Sequence, residues 1–112
     1  MPIHYERIDH TALITIDNGK VNVLKPDMHR ELRDAVFRMN GDPEIRVGIL
    51  RGAPGRSFCA GDDIKTPRPV RTKRVELESH LFPRHDAEPD LARRAYEQEL
   101  MLLRRYKPVI GA

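Results

Sequence analysis

The chain has 112 residues, enough for one ordinary domain with a core of modest size. It is 39% hydrophobic and 33% charged, with 20 Lys and Arg against 17 acids, so the net charge of +3 is only weak grounds for a polyanionic partner. A single cysteine excludes an internal disulfide and a cysteine metal framework. The start "MPIHYERIDH" has no apolar signal core, and the longest apolar run, Leu100 to Leu103, is too short to cross a bilayer. The expectation is a chain of a reducing compartment, the cytoplasm, with no membrane span and no metal.

The first elements read as strands. "HYERIDH" and "TALITID" are short, carry Tyr, Ile and Thr, and are separated at Asp9-His10, which predicts an antiparallel hairpin over residues 3–8 and 11–17. After the turn "DNGK", residues Met28, Leu32, Ala35, Val36 and Met39 share one face of a helix over 26–40. Pro26 suits its first turn, and Gly41 followed by Pro43 supplies a stop. "IRVGILRG" reads as a buried strand over 46–51, closed by Gly52, with "APGR" as the turn beyond it.

From Lys65 to Arg74 cations occur without an acid and between prolines, which predicts a solvated, basic loop extending over about 65–89. A second helix is expected over 90–106 with Leu91, Ala95, Leu102 and Tyr106 on one face, the apolar run Leu100 to Leu103 serving as helical core. The closing "VIGA" reads as the beginning of a further strand.

The stretch "RSFCAGDDIK" then stands after a strand and a Pro-Gly turn. Gly61 permits a bend that a side chain would hinder. If a helical turn opens there, the amide of Asp62 points outward at its positive end, a suitable donor to a developing oxyanion, and Asp63 can cap the same turn. A plain turn with a cap accounts for the same residues.

These residues carry a resemblance. Phe58, Cys59, Ala60, Gly61, Asp62, Asp63, Ile64 and Lys65 resemble the F-C-A-G-x-D-[IL]-K phrase of the enoyl-CoA hydratase/isomerase (crotonase) family. "GKVNVL", leading into a helix with Met28 and Glu31-Leu32, is similar to that family's K-A-N-A-L segment, and "RYKPVIGA" to its K-P-V-I-A-A. Three phrases in the right order span nearly the whole chain. The resemblance implies an α/β fold, a partial crotonase-like ββα spiral that stops before the second half of its core. Residues 1–112 would be the amino-terminal part of the domain.

The resemblance further implies an acyl-CoA thioester site in which two backbone amides stabilise a thioester enolate. The first amide maps to Asp62. Contacts to coenzyme A, which enters as part of the substrate and not as a covalently bound cofactor, map to Lys20, Val21 and Val23, and to Ala60, Gly61, Asp63, Ile64 and Lys65. Solvated side chains account equally well for the two lysines. The family pattern implies a homo-oligomer, a trimer or hexamer if the full domain exists.

Two departures from the pattern follow. Asp62 brings a carboxylate beside a site that must accept negative charge, so its side chain is expected to turn away. The glycine of the second oxyanion amide and the catalytic glutamates of the family lie beyond Ala112, so the chain by itself is expected to be inactive. The alternatives are a non-catalytic CoA-binding remnant and a basic module touching nucleic acid through residues 65–74, where no aromatic residue offers a stacking platform.

Other residues are given quieter roles. Cys59 has no histidine placed by sequence to activate it and is expected to be a buried small residue. Asp62 and Asp63 are adjacent, so their side chains diverge, one capping and one exposed. His4, His10, His29, His80 and His85 lack metal-ligand spacing and are expected at the surface.

Overall fold

The computed structural model describes residues 2–63, 69–102 and 107–112. Strands β1 (Ile3–Ile8) and β2 (Thr11–Ile16) form the antiparallel hairpin, with Ile8 opposite Thr11 and Asp9 at φ 52° in the connecting turn. Period-two alternation buries Ala12, Ile14 and Ile16 on one face of β2. A short strand β3 (Val23–Leu24) precedes helix α1 (Pro26–Gly41), which returns the chain to β4 (Val47–Gly52), parallel to β2. Beyond β4 lie β5 (Gly61–Asp62), helices α2 (Lys73–Leu81) and α3 (Pro89–Leu102), and β6 (Val109–Gly111), parallel to β4. The main sheet runs β1-β2-β4-β6, and β3 with β5 makes a second, two-stranded sheet.

The core lies between the main sheet and α1. Met28, Ala35, Val36 and Met39 are buried against Ile3, Ala12, Ile14 and Ile16, with Leu32 half-buried at the margin. Pro26 stands in the first turn of α1, where its missing N–H leaves no intrahelical bond unmade. At the other end, the Lys107 ammonium donates to the Met39 carbonyl at 2.7 Å and to that of Asp42. Those carbonyls are the negative end of the helix, so a cation there satisfies both charge and hydrogen bonding.

Two expectations are corrected here. The segment read as loop over 65–89 contains α2, whose first residues belong to the basic run. Thr72 caps it by accepting from the Val75 amide at 3.3 Å, and Arg74 pairs with Glu78 one turn on. None of its residues is buried, so no apolar period announced it. The part of the run over 65–68 lies outside the described residues.

The face predicted for α3 is also rotated. Ala92 and Ala95 are buried and Leu91 is half-buried, but Leu102 is 77% exposed and Met101 beside it 83%, so the run at 100–102 is core only at Leu100. Leu103 and Tyr106 lie outside the described residues. Charge and an aromatic ring contribute to the α1–α3 contact beside these apolar residues. Arg33 of α1 donates to Glu99 at 2.9 Å, and its guanidinium lies over the Tyr96 ring at 4.8 Å.

Candidate functional site

The turn after β2 and the "RSFCAGDD" loop run side by side. Ser57 donates its amide to Lys20 at 3.2 Å, Ala60 to Val21 at 3.0 Å, and Asp63 to Leu24 at 3.0 Å, while Val23 and Leu24 pair with Gly61 and Asp62. Lys20, Val21 and Val23 are thus brought against Ala60, Gly61 and Asp63, which sequence alone had placed in two separate phrases. Ile64 and Lys65 lie outside the described residues. Asn22, fully buried, ties the two segments together from within. Lys20, Val21 and Ala60 are exposed, so this junction lies at the surface.

Gly61 has φ +102°, a conformation that side chains rarely adopt, as its place in the motif suggested. The expected helical start is not what orients its neighbour, however. Gly61 and Asp62 form a strand, and successive N–H groups of a strand point to opposite sides in the plane of the sheet. The Asp63 amide is given to β3, so the Asp62 amide faces the other edge of β5, which no strand covers among the described residues.

The Asp62 side chain leaves that plane toward α1 and α3. Its Oδ1 lies 3.0 Å from Nε2 of His29, and its Oδ2 lies 3.4 Å from the Arg93 guanidinium. Glu97 completes the group, 3.4 Å from His29 Nδ1 and 2.9 Å from Arg93. His29 is 5% exposed, against the expectation of a surface histidine, whereas His4, His10, His80 and His85 are exposed as expected. The signal for His29 was present, because positions 29, 32 and 36 share the helix face of Leu32 and Val36. Arg93 and Glu97 carried one too, the i,i+4 spacing on the predicted second helix.

Asp62 and Asp63 do diverge, but differently from the expectation of one cap and one exposed acid. Asp63 is buried, and Asp62 keeps 40% of its side chain exposed while engaged by His29 and Arg93. Cys59 is half-buried, and its Sγ accepts from the Gly61 amide at 3.4 Å. Atoms of His29, Asp62 and Glu97 lie within 4.8 Å of one another, the spacing of a possible cation site. Arg93 already supplies positive charge to both carboxylates there.

The enoyl-CoA hydratase/isomerase family model matches residues 11–112. An (E)-benzylidenesuccinyl-CoA hydratase of Thauera aromatica is 37% identical over 70 residues, 62% of this chain and 27% of that protein. A probable enoyl-CoA hydratase of Mycobacterium leprae is 34% identical over 103 residues, covering 90% of this chain and 32% of the relative. Among solved structures, an enoyl-CoA hydratase/carnithine racemase of Magnetospirillum magneticum superposes with a TM-score of 0.66 at 27% identity, over 99% of this chain and 38% of that one. The chain therefore spans between about a quarter and two fifths of the length of these relatives. With its fold, its paired motif segments and this match in agreement, the chain belongs to the enoyl-CoA hydratase/isomerase family.

Proposed function

We propose that the chain forms the amino-terminal part of an acyl-CoA thioester site. The Asp62 amide is one of two donors that stabilise a thioester enolate, for hydration, isomerisation or a related reaction. Lys20, Val21, Val23, Ala60, Gly61 and Asp63 present backbone to coenzyme A, and the resemblance adds Ile64 and Lys65 to that set. The observation that carries this reading is the arrangement of Asp62: its amide lies at an uncovered strand edge, and its carboxylate is paired on the helix side. Without that pairing, the carboxylate would oppose the very charge the amide stabilises.

In this reading the whole protein is a homo-oligomer of the cytoplasm, and coenzyme A enters only as part of the substrate. The exposed apolar side chains of Met101, Leu102 and Ile110 favour association. No helix among the described residues is long and apolar enough to cross a membrane.

The nucleic-acid alternative is disfavoured by the pairing of its cations. Arg71 is bound by Asp90 and Glu88, and Arg74 by Glu78, so two members of the basic run already have carboxylate partners.

Calorimetric titration of the chain with crotonyl-CoA, free CoA and duplex DNA tests the proposal. The two CoA compounds should compete for one site and DNA should leave it unaffected. Binding of DNA with a steep salt dependence, and no binding of either CoA compound, would overturn it.

A further inference from the structure

We infer that His29 and Arg93 are positioning residues for the acyl-CoA site, holding the Asp62 carboxylate on the helix side of β5 so that the amide of the same residue meets the ligand with its negative charge drawn away. The inference rests on the reading of Asp62 as an oxyanion donor and adds residues that no motif of the chain includes.

Burial and stereochemistry argue for it together. An apolar side chain at position 29 would continue the face of Leu32 and Val36 without needing a polar partner, yet the position holds a histidine that is 5% exposed. Both of its ring nitrogens face carboxylates, Asp62 of β5 at 3.0 Å and Glu97 of α3 at 3.4 Å. A neutral ring donates to one of these groups and an imidazolium to both. Arg93, with its side chain 12% exposed, bridges the same two carboxylates at 3.4 and 2.9 Å.

Two helices thus converge on a two-residue strand through its one acidic side chain outside the core. Strand geometry then fixes the consequence, because the side chain stands out of the sheet and the N–H lies in its plane. Holding the carboxylate against α1 and α3 restrains Asp62 in this conformation, with the side chain on the helix side and the amide at the free edge of β5.

Two measurements on the full chain test this. The first needs no ligand. In ¹H–¹⁵N spectra of the weakly aligned protein at one pH, the residual dipolar coupling of the Asp62 N–H, which reports the direction of that bond, should change in His29→Gln. An Asp62 coupling indifferent to His29→Gln overturns the inference.

The second compares crotonyl-CoA with free CoA, which lacks the thioester carbonyl. His29→Leu should lower the preference for the thioester about two- to tenfold, the equilibrium factor of one hydrogen bond. Asp62→Asn in the same background should restore it, because the charge to be withdrawn is gone. Equal loss of both ligands without that rescue means a merely structural histidine and overturns the inference. So does a thioester preference unchanged in His29→Leu, while the acyl-CoA reading survives. A wild-type chain that binds neither compound overturns the acyl-CoA reading itself, and the inference falls with it. Should His29→Leu not fold, His29→Gln gives the same comparison with a polar side chain retained.

Discussion

The side-chain amide of Asn22 donates to the backbone carbonyl of Ser57 at 2.7 Å, joining the turn before α1 to the loop that carries Gly61 and Asp62. Its oxygen accepts from the Asn18 amide at 2.8 Å, and Asn18 in turn donates to Val23 at 2.7 Å. Asn22 is fully buried and has φ 52°, a left-handed conformation that asparagine tolerates better than most residues. One side chain therefore satisfies backbone groups of both segments that the proposed CoA site requires.

Asn22→Ala removes both bonds, leaves the Ser57 carbonyl without this donor and places alanine at a positive φ. A neutral hydrogen bond contributes about 0.5–1.5 kcal/mol net, so the loss of two is expected to destabilise by about 1–3 kcal/mol. Asn22→Asp keeps the acceptor for Asn18 but sets an oxygen against the Ser57 carbonyl, and should also destabilise. Urea unfolding followed by circular dichroism measures both. A change below about 0.5 kcal/mol in the alanine variant, the size of an ordinary surface substitution, would mean that the two segments are joined by other means.

Glycines 48 and 52 give a paired prediction. A Cβ on Gly52 would stand 2.3 Å from the Ser57 carbonyl oxygen and 2.9 Å from Asn22 Nδ2, both parts of the same junction. On Gly48 it would meet Met39 Sδ at 2.3 Å, in a thioether side chain that has rotamers available but is itself fully buried. Overpacking costs about 1–3 kcal/mol. Gly52→Ala should lie at or above the top of that range, because backbone must move, and Gly48→Ala within it. The reverse order, in the same unfolding assay, would locate the rigid part of the fold at the α1 packing rather than at the loop junction.

How far the chain could be read from its sequence depended on whether an element buries anything. Helix α1 was legible because Met28, Val36 and Met39 recur at helical offsets and all three face the sheet. Helix α2 buries no residue, so its cap at Thr72 and the Arg74–Glu78 pair were the only traces of it, and the basic, proline-bearing run around them outweighed both. Strands β3 and β5 are two residues each, too short to show a period, and were placed only by the phrases that contain them. The clamp on Asp62 was illegible for a different reason. His29 and Arg93 stand 33 and 31 residues from it, and the tertiary fold alone brings α1 and α3 to β5.

Catalysis by this chain alone is expected to be absent even where it binds a CoA thioester. In the reading proposed, the described residues supply one oxyanion amide of two, and the resemblance assigns neither the second amide nor the glutamates to any of them. Lacking one donor costs about 2.7–4 kcal/mol of transition-state stabilisation, and lacking the acid/base groups removes roughly a further 10²–10⁴ in rate. Loss of the conjugated thioester absorbance of crotonyl-CoA measures it. Turnover that is abolished by Asp62→Ala or Asp63→Ala, in protein free of full-length enzyme, would show a complete site within these 112 residues.

Tyr5 supplies a pH dependence with a definite sign. Burial pushes its phenol above the ordinary 10.0, opposed by the Arg38 guanidinium 4.3 Å from the ring. Because the folded state holds the proton more tightly than the unfolded chain does, the contribution to stability is fully present below the unfolded value. It is lost as pH rises through the folded one. Wild type should therefore lose more stability than Tyr5→Phe between about pH 9 and pH 11, the range that brackets phenol ionisation. Tyr96 and Tyr106 are common to both proteins, so the difference isolates residue 5. At neutral pH the variant should be within about 1 kcal/mol of wild type or more stable, since the buried Tyr5 hydroxyl meets no hydrogen-bond partner among the described residues and its removal leaves nothing unmatched. Urea midpoints at the three pH values measure both effects. Parallel losses in the two proteins at high pH would show that alkaline unfolding is driven by another group and that the Tyr5 phenol ionises as freely in the fold as outside it.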